Sequence, residues 1–141
     1  MLTKTSLKEI ATQFTEELWD KGNAAIADKI FQSDFIDHDP VQGQGPGLEG
    51  YIQMLDAFKS AFPDLRVRNE DIIEDEQQNK VVVRWTAQGT HTGTLMQIPA
   101  TNKRVSLKGI DILRVENGKI AERWGEFDAV GMLAQLGVLP S

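Results

Sequence analysis

Apolar residues recur at three- and four-residue intervals through the first part of the chain and at every second position through most of the rest. Leu7, Ile10, Phe14 and Leu18 fall on one helical face, and Ser6 with Glu9 three residues later has the form of a capping box. Asn23 is placed to cap a short second helix from Ala24 to Lys29. FQSDFIDHD then reads as a partly extended segment leading into a loop of glycine and proline. Pro46 suits the start of a third helix. Its stripe of Leu48, Tyr51, Ile52, Leu55, Phe58 and Phe62 ends at Pro63, where the fixed ring and missing donor stop it.

Beyond Pro63 the period changes to two. Four strands are predicted: LRVRNEDIIED, KVVVRWTAQGTHT, KRVSLKGIDILRV and KIAERWGEF. A polar turn at Gln77 to Asn79, the longer loop TGTLMQIPATN and Glu116-Asn117-Gly118 connect them. Asp128 is placed to cap a closing helix over AVGMLAQLG, with Gly137 as its stop. Helices followed by an antiparallel meander indicate a single α+β domain over residues 1–141, its curved sheet wrapped around the N-terminal helices. Along the second strand Val81, Val83, Trp85, Ala87, Gly89 and His91 share one side. The third is apolar on both: Leu107, Asp111 and Leu113 face one way, Ile110 and Ile112 the other. Such a sheet needs cover on both faces, so helices on one and a second subunit on the other are expected, making the protein a homodimer.

Charge and composition narrow the partners. With 21 acidic against 15 basic residues the net charge is −6, the wrong sign for a nucleic-acid binder. The absence of cysteine removes disulfides, thiolate zinc sites and cysteine nucleophiles, and points to the cytoplasm. The N-terminus carries charges where a signal peptide needs an apolar run, and no segment reaches the ~18 apolar residues of a membrane span. Gly43, Gly45 and Gly47 suit a mobile rim, because no phosphate-binding pattern surrounds them. The expected partner is a small molecule, with no cofactor and no metal.

The candidate chemistry lies in few residues. His38 sits between Asp37 and Asp39, and in an extended segment it points away from both, which disfavours a shared metal. It can act as an acid or base, or simply face solvent in its loop. His91, on the apolar side of its strand, is either a pocket group or a hydrogen-bonded core residue. Trp85 and Tyr51 offer flat faces for an aromatic or fused-ring ligand, with the tyrosine hydroxyl reading one oxygen. Met54 and Met96 could add an adaptable lining, and Asp128 is a cap before it is a catalyst.

The stretch HTGTLMQIPATNKRVSLKGIDILRVENGKIAERWGEFDAVGMLAQLG resembles the SnoaL-like family of polyketide cyclases, within the nuclear transport factor two-like superfamily. The IPAT-K turn, the NGKI hairpin and the QLG ending carry the likeness, and the earlier helices with the HDP loop fit the same pattern. That resemblance implies a cone-shaped α+β barrel around a pocket, usually dimeric, and cofactor-free aldol cyclisation of a polyketide ester, with an aspartate moving the proton and a histidine beside it. The family's aspartate matches Gly125 here and its histidine matches Asp111. Glycine has no group to accept a proton, which separates this chain from the family's reaction.

Asp111 and Arg123 are the remaining polar pair. A three-residue turn at Glu116-Asn117-Gly118 would set Asp111 opposite Arg123, whereas a two-residue turn at Asn117-Gly118 would set it against Trp124 and send Arg123 to the other face. The first is favoured, because x-Asn-Gly-Lys suits a bulged turn. An aspartate beside an arginine stays ionised at neutral pH, which suits anchoring a ligand or holding a base. Three functions fit: an enzyme moving a proton on a cyclic or polyketide-like carbonyl compound, a binding module without turnover, or a structural dimerisation unit. Asp111, His38 and His91 are the candidate catalytic groups, with Arg123, Trp85, Tyr51, Met54 and Met96 binding the ligand.

Overall fold

The computed structural model describes residues 6–139. Helix α1 (Leu7–Thr12) begins at the expected cap, where Ser6 accepts the Glu9 N–H at 3.1 Å. The chain then continues as a π-helix over Gln13–Asp20, burying Phe14, Thr15 and Leu18. Trp19, at the end of this wider coil, packs against the core as well. A 3₁₀ turn (Ala24–Ile26) runs into the short α2 (Ala27–Ile30), and Asn23 makes no side-chain capping bond, contrary to expectation. Helix α3 (Gly47–Ala61) stops just before Pro63, as its stripe predicts. The final helix, α4 (Ala129–Leu136), is capped by the Asp128 side chain and stopped by Gly137 at φ 76°.

Five strands form where four are predicted. They are β1 (Phe31–Asp37), β2 (Arg66–Asp75), β3 (Lys80–Thr90), β4 (Arg104–Glu116) and β5 (Lys119–Phe127), in the order β1-β5-β4-β3-β2. The extra strand is β1, parallel to β5 at the sheet edge. Its buried residues, Phe31 and Phe35, are four positions apart with a register shift between them, so no period-two signal marks it. The sheet is curved but not closed: β1 and β2 are its two edges. The α+β class and the wrapping of an open, curved sheet around the helices therefore hold.

Two apolar clusters fill the space between the helices and the inner sheet face. One gathers Ile10, Phe14, Phe31, Phe35, Tyr51, Val83 and Leu113, with Phe31 and Phe35 edge to face at 4.8 Å. The other gathers Phe58, Phe62, Leu65, Leu95, Leu107 and Met132. Each buried Phe or Leu contributes roughly 1.5–3 kcal/mol. Trp19, Met54 and Trp85 touch both clusters and mark the seam between them. On the outer face, Ile73, Val82, Ile112 and Trp124 pair in one row across four strands, and Ile73 is 61% exposed. Among the described residues no helix is long and apolar enough to cross a membrane.

Candidate functional site

A cavity of about 370 Å³ opens at the seam between the two clusters. Phe14, Thr15 and Trp19 of the π-helix and Tyr51, Met54 and Phe58 of α3 form one wall. Trp85, Ala87 and Leu107 of the sheet form another. Asp111, Arg123, Asp39 and Gln44 make a polar end beside the loop that follows β1.

The β4–β5 register decides that polar end: the turn is the two-residue alternative, but the register at Asp111 is the one neither turn predicts. Glu116 pairs with Lys119 across a two-residue Asn117-Gly118 turn whose φ values are 53° and 76°. Beyond it the register shifts: Val115 pairs with Ile120 but Arg114 with Glu122, so Ala121 is an extra residue in β5. That bulge reverses the inward and outward alternation once more. Asp111 lies opposite Gly125 and Leu113 opposite Arg123, which leaves Asp111 and Arg123 on the inner face as diagonal neighbours. The favoured three-residue turn is overturned, yet the pair it was meant to bring together meets.

Two glycines make the pairing possible. A Cβ on Gly109 would overlap the Trp85 ring, and a Cβ on Gly125 would overlap Asp111 Oδ1 and lie 2.6 Å from Arg123 Nη2. With those positions empty of side chains, Trp85 Nε1 donates to Asp111 Oδ2 at 2.9 Å and Arg123 Nε donates to Asp111 Oδ1 at 2.7 Å. Arg123 Nη1 also donates to Asp37 Oδ1 at 2.8 Å and to the Asp39 carbonyl at 3.3 Å. Its Nη2 makes no hydrogen bond among the described residues. Asp111 is only 4% exposed. Burial pushes its carboxyl above the ordinary value and outweighs the lowering by Arg123 and Trp85, so the arginine does not dominate it as the sequence suggests. Burial works against the Arg123 charge, but Tyr51, Asp111 and Asp37 around it hold the guanidinium above its usual range.

The loop after β1 is tied to this cluster from within. Gly125 N–H donates to Asp39 Oδ2 at 2.8 Å, and Gln44 Nε2 donates to Asp37 Oδ2 at 2.9 Å. His38, between the two aspartates, turns the other way. Its ring stacks on Trp124 at 4.7 Å with 8° between planes, and its Nε2 lies 3.0 Å from Glu122 Oε1. Glu122 and Trp124 alternate with Arg123 and Gly125 along β5, so the His38 ring sits toward the outer face while the residue borders the cavity mouth.

Tyr51 is 1% exposed; its hydroxyl accepts the Trp19 Nε1–H at 2.9 Å, and burial pushes that hydroxyl well above its usual range. Arg123 Cζ lies 5.5 Å from the centre of the Tyr51 ring. Six residues named from the sequence thus border the cavity: Asp111, Arg123, Trp85, Tyr51, Met54 and, at its mouth, His38. Two do not. His91 is fully buried against Phe62 of the second cluster, where Nδ1 accepts the Thr101 N–H at 3.2 Å and Nε2 has no partner among the described residues. Met96 is 52% exposed at the tip of the turn between Leu95 and Ile98. Its φ is 46°, the left-handed conformation of a tight turn. Asp37, Asp39, Gln44, Phe14 and Trp19 were not among the candidate site residues. The two-residue spacing of Asp37 and Asp39 was a usable signal for a shared face, whereas nothing in the sequence marks the π-helix that turns Trp19 inward.

The sequence profile of the SnoaL-like polyketide cyclase family matches residues 9–136. Aklanonic acid methyl ester cyclase of Streptomyces peucetius is 30% identical over 102 residues, covering 72% of this chain and 68% of that protein. Nogalonic acid methyl ester cyclase of Streptomyces nogalater is 25% identical over 119 residues, covering 82% and 87%. The solved structure of TsrD from Streptomyces laurentii superposes with a TM-score of 0.85 at 27% identity, covering 99% of this chain and all of that one.

Proposed function

The chain belongs to the SnoaL-like polyketide cyclase family, and we propose that its cavity moves a proton on a cyclic or polyketide-like carbonyl compound without a cofactor, as a cyclase, isomerase or hydrolase. Asp111 is the group that takes the proton. The observation that carries this reading is an exchange across the β4–β5 ladder. Position 125, where the family's aspartate belongs, is glycine, and the Asp111 carboxylate from the facing strand fills the volume in which a side chain at 125 would begin. Burial raises the basicity of that carboxylate, which suits a general base. Nη2 of Arg123, unbonded among the described residues, supplies a donor for a ligand oxygen, and Trp85 with Met54 supplies an apolar seat.

A second reading, a binding module without turnover, is favoured by one observation: both Asp111 oxygens already accept hydrogen bonds. Asp111→Asn separates the two. The assay is proton-for-deuterium exchange α to the carbonyl in a panel of aromatic β-keto esters, followed by NMR. Loss of exchange with retained ester affinity supports the catalytic role, and unchanged exchange defeats it. We further propose that the outer row of Ile73, Val82, Ile112 and Trp124 packs against a second copy of the chain.

A further inference from the structure

The tyrosine at the cavity wall has an unfinished hydrogen-bond account. A phenolic hydroxyl has one proton to give and lone pairs to accept with. Tyr51 is 1% exposed, and the bond its hydroxyl makes among the described residues is one it accepts, from Trp19 Nε1 at 2.9 Å. An indole N–H can only donate, so Trp19 cannot take the tyrosine's proton. The two rings meet edge to face at 6.2 Å, and both line the cavity. Trp19 is held there by the π-helix Gln13–Asp20, a wider coil that occurs often at functional sites. The Lys59 ammonium closes the end of that coil, donating to the Trp19 and Asp20 carbonyls at 2.9 Å each. A lone pair of the hydroxyl is thereby occupied by a fixed donor, and its proton is left for whatever enters the cavity. Arg123, whose Nη2 makes no hydrogen bond among the described residues, lies with Cζ 5.5 Å from the Tyr51 ring centre and borders the same cavity, so it offers a second donor there.

We propose that Tyr51, positioned by Trp19, donates its hydrogen bond to the ligand oxygen that becomes negative when Asp111 removes a proton. The inference rests on the proton-transfer reading given above. In that step the C–H bond α to the carbonyl breaks, the proton passes to the Asp111 carboxylate, and the electron pair moves onto the carbonyl oxygen as an enolate. No oxidant or reductant is needed. A donor fixed before the reaction costs nothing to reorganise as the charge appears. Tyr51 acts on the reacting oxygen, and Trp19 is a positioning residue that acts through it.

The test uses the full chain and a series of 6-substituted 2-naphthols of increasing acidity, whose oxygen imitates an enolate, titrated by fluorescence. In the wild-type protein affinity rises with naphthol acidity. Tyr51→Phe keeps the ring and removes the proton, so the slope disappears and the most acidic naphthol binds roughly 10- to 100-fold more weakly. Trp19→Phe removes the indole N–H and reduces the slope, whereas a merely structural role would weaken all naphthols equally. Rising affinity that survives Tyr51→Phe unchanged, or a flat wild-type series, overturns this inference and leaves the proton-transfer reading intact. Failure of every naphthol to bind the wild-type chain overturns both.

Discussion

Gly125→Ala tests the packing on which the site depends. Gly125 lies opposite Asp111, and its φ is outside the left-handed region, so the backbone accepts alanine without strain. The new methyl carbon would overlap Asp111 Oδ1 and lie 2.6 Å from Arg123 Nη2 and 2.9 Å from Arg123 Cζ, where ordinary contact begins at 3.4 Å. Neither side chain is free to retreat: Trp85 holds Asp111, while Asp37 and the Asp39 carbonyl hold Arg123. Overpacking a core costs ~1–3 kcal/mol. Because the atoms displaced here form a buried ion pair, whose disruption costs ~3–5 kcal/mol when one partner is lost, the upper end applies, about 3 kcal/mol. For a chain of this size that lowers the melting temperature by roughly 10 °C. Urea unfolding of wild type, Gly125→Ala, Asp111→Ala and the double variant supplies the numbers. With the carboxylate removed the closest overlap is gone and Arg123 loses one of its anchors, so the methyl's cost in the Asp111→Ala background falls by ~1 kcal/mol or more, a coupling typical of touching residues. A single variant within ~0.5 kcal/mol of wild type would refute the claim that Asp111 fills the space beside residue 125.

Two further outcomes follow from other parts of the molecule. Burial raises the Asp20 carboxyl, but Arg66 and the Val67 N–H, the latter at 2.7 Å, outweigh it and hold its pKa below the usual 3.8. A depressed folded-state value contributes stability above the unfolded pKa and loses it as pH falls through the folded one. Asp20→Asn keeps an oxygen for the Val67 N–H but removes the charge that strengthens that bond and the one from the exposed Arg66, and therefore costs about 1 kcal/mol at neutral pH. Melts repeated downward through pH 3.8 should show that difference vanish, and a constant gap would contradict the assignment. On the outer sheet face, Ile112→Asp puts a charge in the middle of the apolar row and should leave a monomer where light scattering at micromolar concentration finds the wild type dimeric. A monomeric wild-type mass removes the second copy from that face.

How far the sequence could be read depends on whether the signal was local. Side-chain period marked α1, α3 and four of the strands, because a helix or a half-buried strand must repeat its apolar residues to bury one face. Ser6, Asp128 and Gly137 act at the helix ends where their side chains or backbone freedom predict. His91 and Met96 lie away from the cavity for a common reason. Strand parity says which face a residue takes, but not whether that face is cavity, solid core or, beyond the strand end, a turn in water.

Alternation alone puts Asp111 on one face with Leu107 and Leu113, and points Asp37 and Asp39 together, since it needs no knowledge of neighbours. Tertiary structure decided what they meet. One extra residue, Ala121, inverts parity along β5 and returns Arg123 to the face that a two-residue turn would have denied it. The parallel pairing of β1 with β5 brings Asp37 to Arg123 across 86 positions of chain, and the π-helix lays Trp19 on Tyr51 across 32. A single-residue register shift costs little locally and leaves no mark in composition, yet it reverses every side chain beyond it.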